Sequence, residues 1–347
     1  MPFTGAIIPR STYVKSFEFT GPRVPYPEPD IKGDTYPLTW AADGKIYASS
    51  GDPAWGGKGD GLDMESFDGG PTDYKITKRN QMMGYHGVGG DGHKPTGMIS
   101  VGGTLYLAVQ NLRRMRKPPF NLASQHGSDA HIVYSCDHGF KWAPAIETVT
   151  EPMFPGSAFG GPAFINYGQD NAGARDGHVY AVSADQWDNG SNLRLGRVPA
   201  GRIVERSAWE FVAAWTAQGE PVWHGDLALA IPVLSLHRMI SSPEMVYLSG
   251  IRRYLLLSWR LHQDFTPFGS DLLVLEAPEP WGPFSWVHAE TPWEDLAYSP
   301  YCPRVPLKWM APDHRSGWLQ FSGSWSGDGQ KAGGSYRSNV RPFRLTL

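Results

Sequence analysis

Short runs rich in aromatic, β-branched and leucine residues recur along the whole chain, each set off by a glycine-containing turn. Asp43-Gly44-Lys45-Ile46-Tyr47-Ala48-Ser49-Ser50-Gly51-Asp52 and Asp176-Gly177-His178-Val179-Tyr180-Ala181-Val182-Ser183-Ala184-Asp185 follow one template. Gly103-Thr104-Leu105-Tyr106-Leu107-Ala108-Val109-Gln110-Asn111 repeats it, and weaker copies are centred on Tyr254 and Trp318. Asp-Gly and Gly-Gly between strand-like runs signal tight hairpin turns, because both turn positions tolerate positive φ. Each template therefore predicts strand, turn, strand, and the spacing of Tyr47, Tyr106, Tyr180, Tyr254 and Trp318 leaves room for two further strands per unit. Five units of about four strands predict an all-β fold, a five-bladed β-propeller, with residues 1–347 forming one catalytic domain. A ring must close, so residues 1–19 or 340–347 are expected to complete a blade begun by the other terminus. The pattern predicts one short helix, over residues 207–214, with Trp209, Phe211 and Val212 as its packing face.

Composition narrows the picture. Of 347 residues 41 are Gly and 30 Pro, which argues against a helical bundle or coiled coil. Lys and Arg number 31 against 34 Asp and Glu, for a net charge of -3, so no footprint for nucleic acid or an anionic membrane surface is present. No apolar run has the length of a membrane helix, and MPFTGAIIPR lacks the basic and apolar regions of an export signal. Cys136 and Cys302 are too few for a disulfide framework and read as two buried free thiols.

Register suggests where chemistry could lie. A two-residue turn at Asp43-Gly44 puts Thr35 opposite Asp52 and Asp34 opposite Pro53, so Asp34 and Asp52 meet at the open end of the first hairpin. The Gly102-Gly103 turn brings His93 and Lys94 beside Asn111 and Gln110, with Asp185 and Trp259 at related positions of later blades. Paired acids suit glycosidic hydrolysis, in which one carboxyl protonates the leaving oxygen while the other, ionised, activates water or attacks the anomeric carbon. Spacing leaves a plainer reading open, in which both aspartates cap strand ends. Trp55 and Trp259 are placed for stacking on a sugar ring, and His93 for hydrogen-bonding to substrate. Asp60, Asp63, Glu65, Asp68 and Asp73 lack EF-hand spacing and read as a solvated acidic loop, with His86 as a loop histidine; neither a metal nor a cofactor is expected. Ser135-Cys136-Asp137-His138-Gly139-Phe140-Lys141-Trp142 fits the Asp-box pattern of sialidase-like propellers, in which Asp137 shapes a turn.

A family resemblance rests on Asp34-Thr35-Tyr36-Pro37-Leu38-Thr39-Trp40-Ala41-Ala42-Asp43-Gly44 with Gly51-Asp52, on His93-Lys94-Pro95-Thr96-Gly97, and on Phe164 through Ala174. Arg197-Val198-Pro199, Arg206 through Phe211, Glu276 through Pro283 and Pro306-Leu307-Lys308-Trp309-Met310 continue it in order. The sequence resembles domain of unknown function 4185 (glycoside hydrolase family 183). The resemblance implies a five-bladed propeller, an endo-D-arabinanase-like hydrolase of α-D-arabinofuranosyl links in mycobacterial arabinogalactan and lipoarabinomannan, and extracellular or periplasmic action on a polysaccharide or oligosaccharide. It also implies that the acidic pair of the first blade corresponds to Asp34 and Asp52. Asp170 and Lys308, within matching segments, join Trp55, His93, Lys94, Asn111 and Trp259 as candidates for substrate binding. This chain departs in having Asp-Thr-Tyr where the family often has Asp-Leu-Gly, and Gly-Asp-Pro for Gly-Asp-Thr, so its substrate need not be the same. Positional analogy assigns Asp34 as general base and Asp52 as general acid. Alternatives from other classes are a polysaccharide lyase with His93 as base, and a glycan-binding propeller without catalysis.

Overall fold

The computed structural model describes all residues except 1–7, 29, 56–60, 83–84, 86–91, 113–126, 146–147, 263–268, 295–298 and 324–335. Two short strands, β1 (Ser16–Phe19) and β2 (Val24–Pro25), precede the first blade, which contains β3 (Ile31–Asp34), β4 (Leu38–Trp40), β5 (Ile46–Trp55), β6 (Leu62–Asp68) and β7 (Lys75–Gln81). The second holds β8 (Lys94–Val101), β9 (Thr104–Gln110) and β10 (His131–Ser135), and the third β11 (Ala163–Phe164), β12 (His178–Ala184), β13 (Gly190–Pro199), β14 (Glu210–Trp215) and β15 (Pro221–His224). The fourth runs from β16 (Leu234–Leu248) through β17 (Arg253–Leu261) and β18 (Ser270–Ala277) to β19 (Ser285–Glu290). The fifth holds β20 (Tyr301–Arg304), β21 (Ser316–Ser322) and β22 (Ser338–Thr346). The fold is a five-bladed β-propeller. Its third and fourth sheets are hydrogen-bonded into one, because the first part of β16 pairs with β13 while the second part pairs with β17.

The ring closes between the termini: β1 pairs antiparallel with β22, from Ser16↔Thr346 to Phe19↔Phe343. The five anchors Tyr47, Tyr106, Tyr180, Tyr254 and Trp318 all fall on the second strand of a blade, namely β5, β9, β12, β17 and β21. The template has a local cause. Asp43 Oδ1 accepts from the Lys45 amide (3.0 Å) and Asp43 Oδ2 from the Tyr47 hydroxyl (2.8 Å); Asp176 does the same for His178 (2.9 Å) and Tyr180 (2.8 Å). An aspartate thus fastens the turn to the tyrosine four residues on. The second blade has Gly at that turn, and Asp170, from a 3-10 turn of the third blade, supplies the missing carboxylate, accepting from the Gly103 amide (3.1 Å) and Ser100 hydroxyl (2.6 Å).

The apolar core divides into five clusters, one for each junction between neighbouring blades. Strands between two junctions are buried on both faces, which is why β17 reads Tyr-Leu-Leu-Leu-Ser-Trp with no polar alternation: Leu255, Leu257 and Trp259 pack toward the fifth blade, Tyr254 and Leu256 toward the third. The segment expected as a helix over residues 207–214 is instead a 3-10 turn, Arg206–Ala208, followed by β14. Trp209 and Phe211 still pack inward, but against Phe159 and Phe154 at a blade junction, and tertiary burial overrides the apparent helical spacing. The Asp-box motif is the turn it was expected to be: Ser135 Oγ accepts from the Gly139 amide (2.9 Å), Asp137 Oδ1 from the Lys141 amide (2.8 Å). Cys302 is buried, but Cys136 beside this turn is exposed, contrary to the expectation of two buried thiols.

Candidate active site

The innermost strand of the first blade is broken. Thr35 (φ 65) and Tyr36 (φ 39) adopt left-handed backbone between β3 and β4, costly conformations for a β-branched and an aromatic residue. The turn after β4 is also one residue longer than expected: Ala41 and Lys45 flank it, with Lys45 C=O accepting from the Ala41 amide (2.9 Å) and Gly44 at φ 82. The extra residue moves the register by one, and the left-handed break between β3 and β4 moves it again, so Asp34 lies opposite Gly51 and not Pro53. Glycine is needed there, since a Cβ on residue 51 would stand 2.7 Å from Asp34 Oδ1. Asp52 follows at once, itself left-handed (φ 44).

The inner strands of three blades meet at this point. Tyr301, at the start of β20, donates to Asp34 Oδ2 (3.0 Å). Lys94, at the start of β8, is 2% exposed and forms an ion pair through Nζ with Asp52 Oδ2. Arg304, fully buried, donates through Nε to the Thr35 carbonyl (3.0 Å) and through Nη1 to the Ser242 and Pro243 carbonyls (3.4 and 3.3 Å) and to Glu244 (3.4 Å), binding the first blade to the fourth. Further along the axis Asn166 of the third blade accepts from Thr39 (2.7 Å) and donates to the Met98 carbonyl (3.1 Å), and its own carbonyl accepts from the Tyr247 amide (3.0 Å). The inner strands are thus knitted together beneath a polar mouth.

The two aspartates sit in unequal electrostatic settings. Burial, with the charge of Asp52 adding to it, outweighs the opposing pull of Lys94 and of the Tyr301 and Tyr336 hydroxyls and raises the Asp34 carboxyl from an ordinary 3.8 to about 7. Asp52 has a side chain 20% exposed and faces Lys94 as its counter-ion. Burial pulls the Lys94 ammonium down, but Asp52 and Asp34 together more than offset this and hold it above the usual lysine range. The Cys302 thiol is pushed up to about 12, by burial first and then by Asp34 and Asp188, with Arg304 opposing, and is not a nucleophile at neutral pH. A protonated carboxyl and a carboxylate paired with one lysine, at one mouth, can give a proton and take up positive charge in the same encounter.

The remaining candidates scatter. His93 is 4% exposed and packs edge-on to Tyr85 (ring centroids 5.6 Å), and Asn111 donates to the Gly92 carbonyl (3.1 Å) while its amide donates to Ser128 (2.7 Å); both border Lys94. Trp259 is not at a rim: it is 1% exposed in the core between the fourth and fifth blades and packs behind Tyr301 (5.5 Å). Asp170 binds the Gly102-Gly103 turn, at the opposite end of β8 from Lys94, so its carboxylate is spent on structure. Lys308 lies on a 3-10 turn, Leu307–Trp309, that packs against β4 and hence near the turn end of β5, away from Asp52. Asp185 accepts from the amides of Ser191 (2.8 Å) and Asn192 (3.2 Å) as a turn cap. Trp55 ends β5 opposite Ile31, but its side chain lies outside the described residues, as do His86, Asp91 and Asp60.

Most of the acidic segment is strand and not solvated loop, although Asp73 stands in an exposed turn. Asp63, Glu65 and Asp68 belong to β6; Glu65 is buried and accepts from Ser50 (2.6 Å), Asp63 pairs with Lys78 (2.8 Å) and Asp68 with Lys45 (2.6 Å). Among the described residues no cluster of His, Cys, Asp and Glu could hold a metal ion. Tyr301, Tyr336 and Arg304 escaped sequence reading. The signal for Tyr301 and Arg304 was the inner strand preceding the Trp318 hairpin, Tyr301-Cys302-Pro303-Arg304, which carries Pro at a bulge as Pro95 and Pro243 do in the second and fourth blades; Tyr336 had none.

The family model described as Domain of unknown function (DUF4185) matches residues 31–337. A search of curated proteins returned no match. Among solved structures, a putative hydrolase from Bacteroides ovatus superposes with a TM-score of 0.54 at 12% identity, covering 90% of this chain and 85% of that one. An endo-arabinase from Bacteroides thetaiotaomicron gives 0.52 at 12% identity over 94% and 97% of the two chains, and a GH43_1 enzyme from Xanthomonas citri gives 0.51 at 12% over 94% and 92%. At such identity the likeness is one of fold.

Proposed function

The chain belongs to the DUF4185 family, and on that premise we propose that it is a glycoside hydrolase acting on arabinofuranosyl linkages, α-D-arabinan being the substrate class. The observation that supports this is the unequal setting of Asp34 and Asp52 around Lys94. Asp34, raised to about 7, is the group able to remain protonated at neutral pH and to donate to the departing glycosidic oxygen. Asp52, paired with Lys94, is the carboxylate that attacks the anomeric carbon or activates water. These roles are the reverse of those expected from position in the sequence, because burial and not chain order decides which acid holds its proton. Tyr301 keeps Asp34 oriented, and Lys94 neutralises Asp52 until charge develops on the sugar.

Arabinan specificity draws on the resemblance of the sequence to endo-D-arabinanases and on the neighbour named as an endo-arabinase. Digestion of a glycan panel that includes mycobacterial arabinan, analysed by mass, tests both levels. Products that each gain one water, lost in Asp34→Asn and Asp52→Asn, are expected. Unsaturated products lacking that water would replace hydrolysis with elimination, and cleavage confined to another glycan would replace arabinan.

A further inference from the structure

One buried group near the acidic pair has no hydrogen-bond partner among the described residues. Gln110, the last residue of β9, lies opposite Lys94 in the β8–β9 ladder and is 0% exposed, yet neither its Oε1 nor its Nε2 makes a hydrogen bond. Buried side-chain amides almost always find partners, and an orphaned one is costly to keep. The amide borders a small recess, with room for about one water-sized group, lined also by Thr96, Gly127, Gly161, Trp187 and Ser242, contributed by the second, third and fourth blades. Two glycines keep the approach to the amide clear: a Cβ on Gly127 would stand 3.1 Å from Gln110 Oε1, and one on Gly161 3.3 Å.

Thr96 Oγ1 donates to the Pro162 carbonyl (2.9 Å), and the Ser242 carbonyl accepts from Arg304, the same guanidinium that holds Thr35 beside Asp34. The recess is linked to the acidic pair through Lys94, which stands opposite Gln110 in the ladder, and through Arg304, which bonds both Ser242 and Thr35; Gln110 is the buried amide it offers to a ligand. A primary amide offers one donor and one acceptor side by side, the complement of a hydroxyl that gives and takes a hydrogen bond, or of two vicinal hydroxyls. Trp187, 8% exposed, contributes to the wall of the recess.

We propose that Gln110 is a substrate-binding residue whose amide clamps a hydroxyl of the sugar unit seated beside the Lys94–Asp52 pair, so that the recess selects glycans bearing a free hydroxyl there. The proposal rests on the glycan-cleaving reading of the site. The arriving hydroxyl gives the buried amide a direct partner, and a glycan substituted at that hydroxyl is excluded because the glycine-lined space has no room for the substituent.

The test compares wild type with Gln110→Leu, which keeps bulk and removes both polar atoms, and with Gln110→Glu, which replaces the donor. On arabinan, Gln110→Leu is expected to raise KM about tenfold with kcat within about twofold, as loss of one well-placed hydrogen bond to substrate does, while its Tm stays at or above that of wild type. An unchanged KM, or a lowered Tm that accounts for the activity loss, would overturn the proposal. Should Gln110→Leu fail to fold, Gln110→Glu carries the same expected rise in KM. If wild type leaves arabinan intact, thermal shift with the methyl glycosides of arabinofuranose, xylose and galactose separates the two ideas. A glycoside that raises the wild-type Tm and not that of the variant sustains Gln110 as the sugar clamp though the arabinan reading falls; equal shifts, or none, refute the clamp.

Discussion

The Tyr301 hydroxyl of the fifth blade donates a 3.0 Å hydrogen bond to Asp34 of the first. The two residues are far apart in sequence and belong to the blades that flank the point where the ring closes. The Asp34 carboxyl is thus positioned by a contact between the first and last blades of the ring.

If Asp34 is the proton donor, kcat/KM should fall on the alkaline side with an apparent pKa near 7, the value its burial and the Asp52 charge produce. Tyr301→Phe removes a hydrogen bond that favours the ionised form, so this limb should move to higher pH. A limb that stays in place in Tyr301→Phe would detach it from Asp34.

The same raised pKa makes a stability prediction. With the folded value near 7 and the ordinary value 3.8, the native state binds the proton more tightly. Stability from this group is full below about pH 4 and lost as pH rises to about 7. Asp34→Asn, which never ionises, should match wild type near pH 4 and exceed it by up to about 4 kcal/mol at pH 8, as urea unfolding at the two pH values will measure.

Arg304→Met should destabilise by about 3–5 kcal/mol, because it leaves Glu244 as an uncompensated buried carboxylate and strips the Thr35, Ser242 and Pro243 carbonyls of their donor. Burial has already raised the Glu244 carboxyl to about 7 against the pull of Arg304. The loss should therefore be greater at pH 8 than at pH 5; a pH-independent loss would mean that packing and not charge is the role of Arg304.

Removing residues 338–347 should abolish folding instead of fraying a tail. That segment is β22, which pairs with β21 on one side and β1 on the other and places Val340, Phe343 and Leu345 in the core. Loss of the native circular dichroism spectrum is expected; a cooperative thermal transition in the truncated chain would show that the ring closes without it.

Much of this was written locally. The Asp-Gly turns, the tyrosine four residues after each aspartate and the apolar runs determine hairpins through contacts between residues close in sequence, so the strand series, the blade count and the ring closure were legible without coordinates. The meeting of Asp34 and Asp52 was legible for the same reason, since both stand on one hairpin, although a one-residue difference in turn length and a bulge changed which residues face each other. Helical spacing around Trp209 misled because a strand buried between blades carries apolar residues on both faces. Trp259 and Asp170 could not be placed from sequence: whether an aromatic lines a rim or a core, and whether a carboxylate is spent on a distant turn, depends on the neighbouring blade. The proton state of Asp34, the ion pair of Lys94 with Asp52, the Arg304 clamp and the unpartnered amide of Gln110 were decided only by tertiary structure. Desolvation and ion pairing are properties of an environment assembled from several blades, and no segment of the sequence contains that environment by itself.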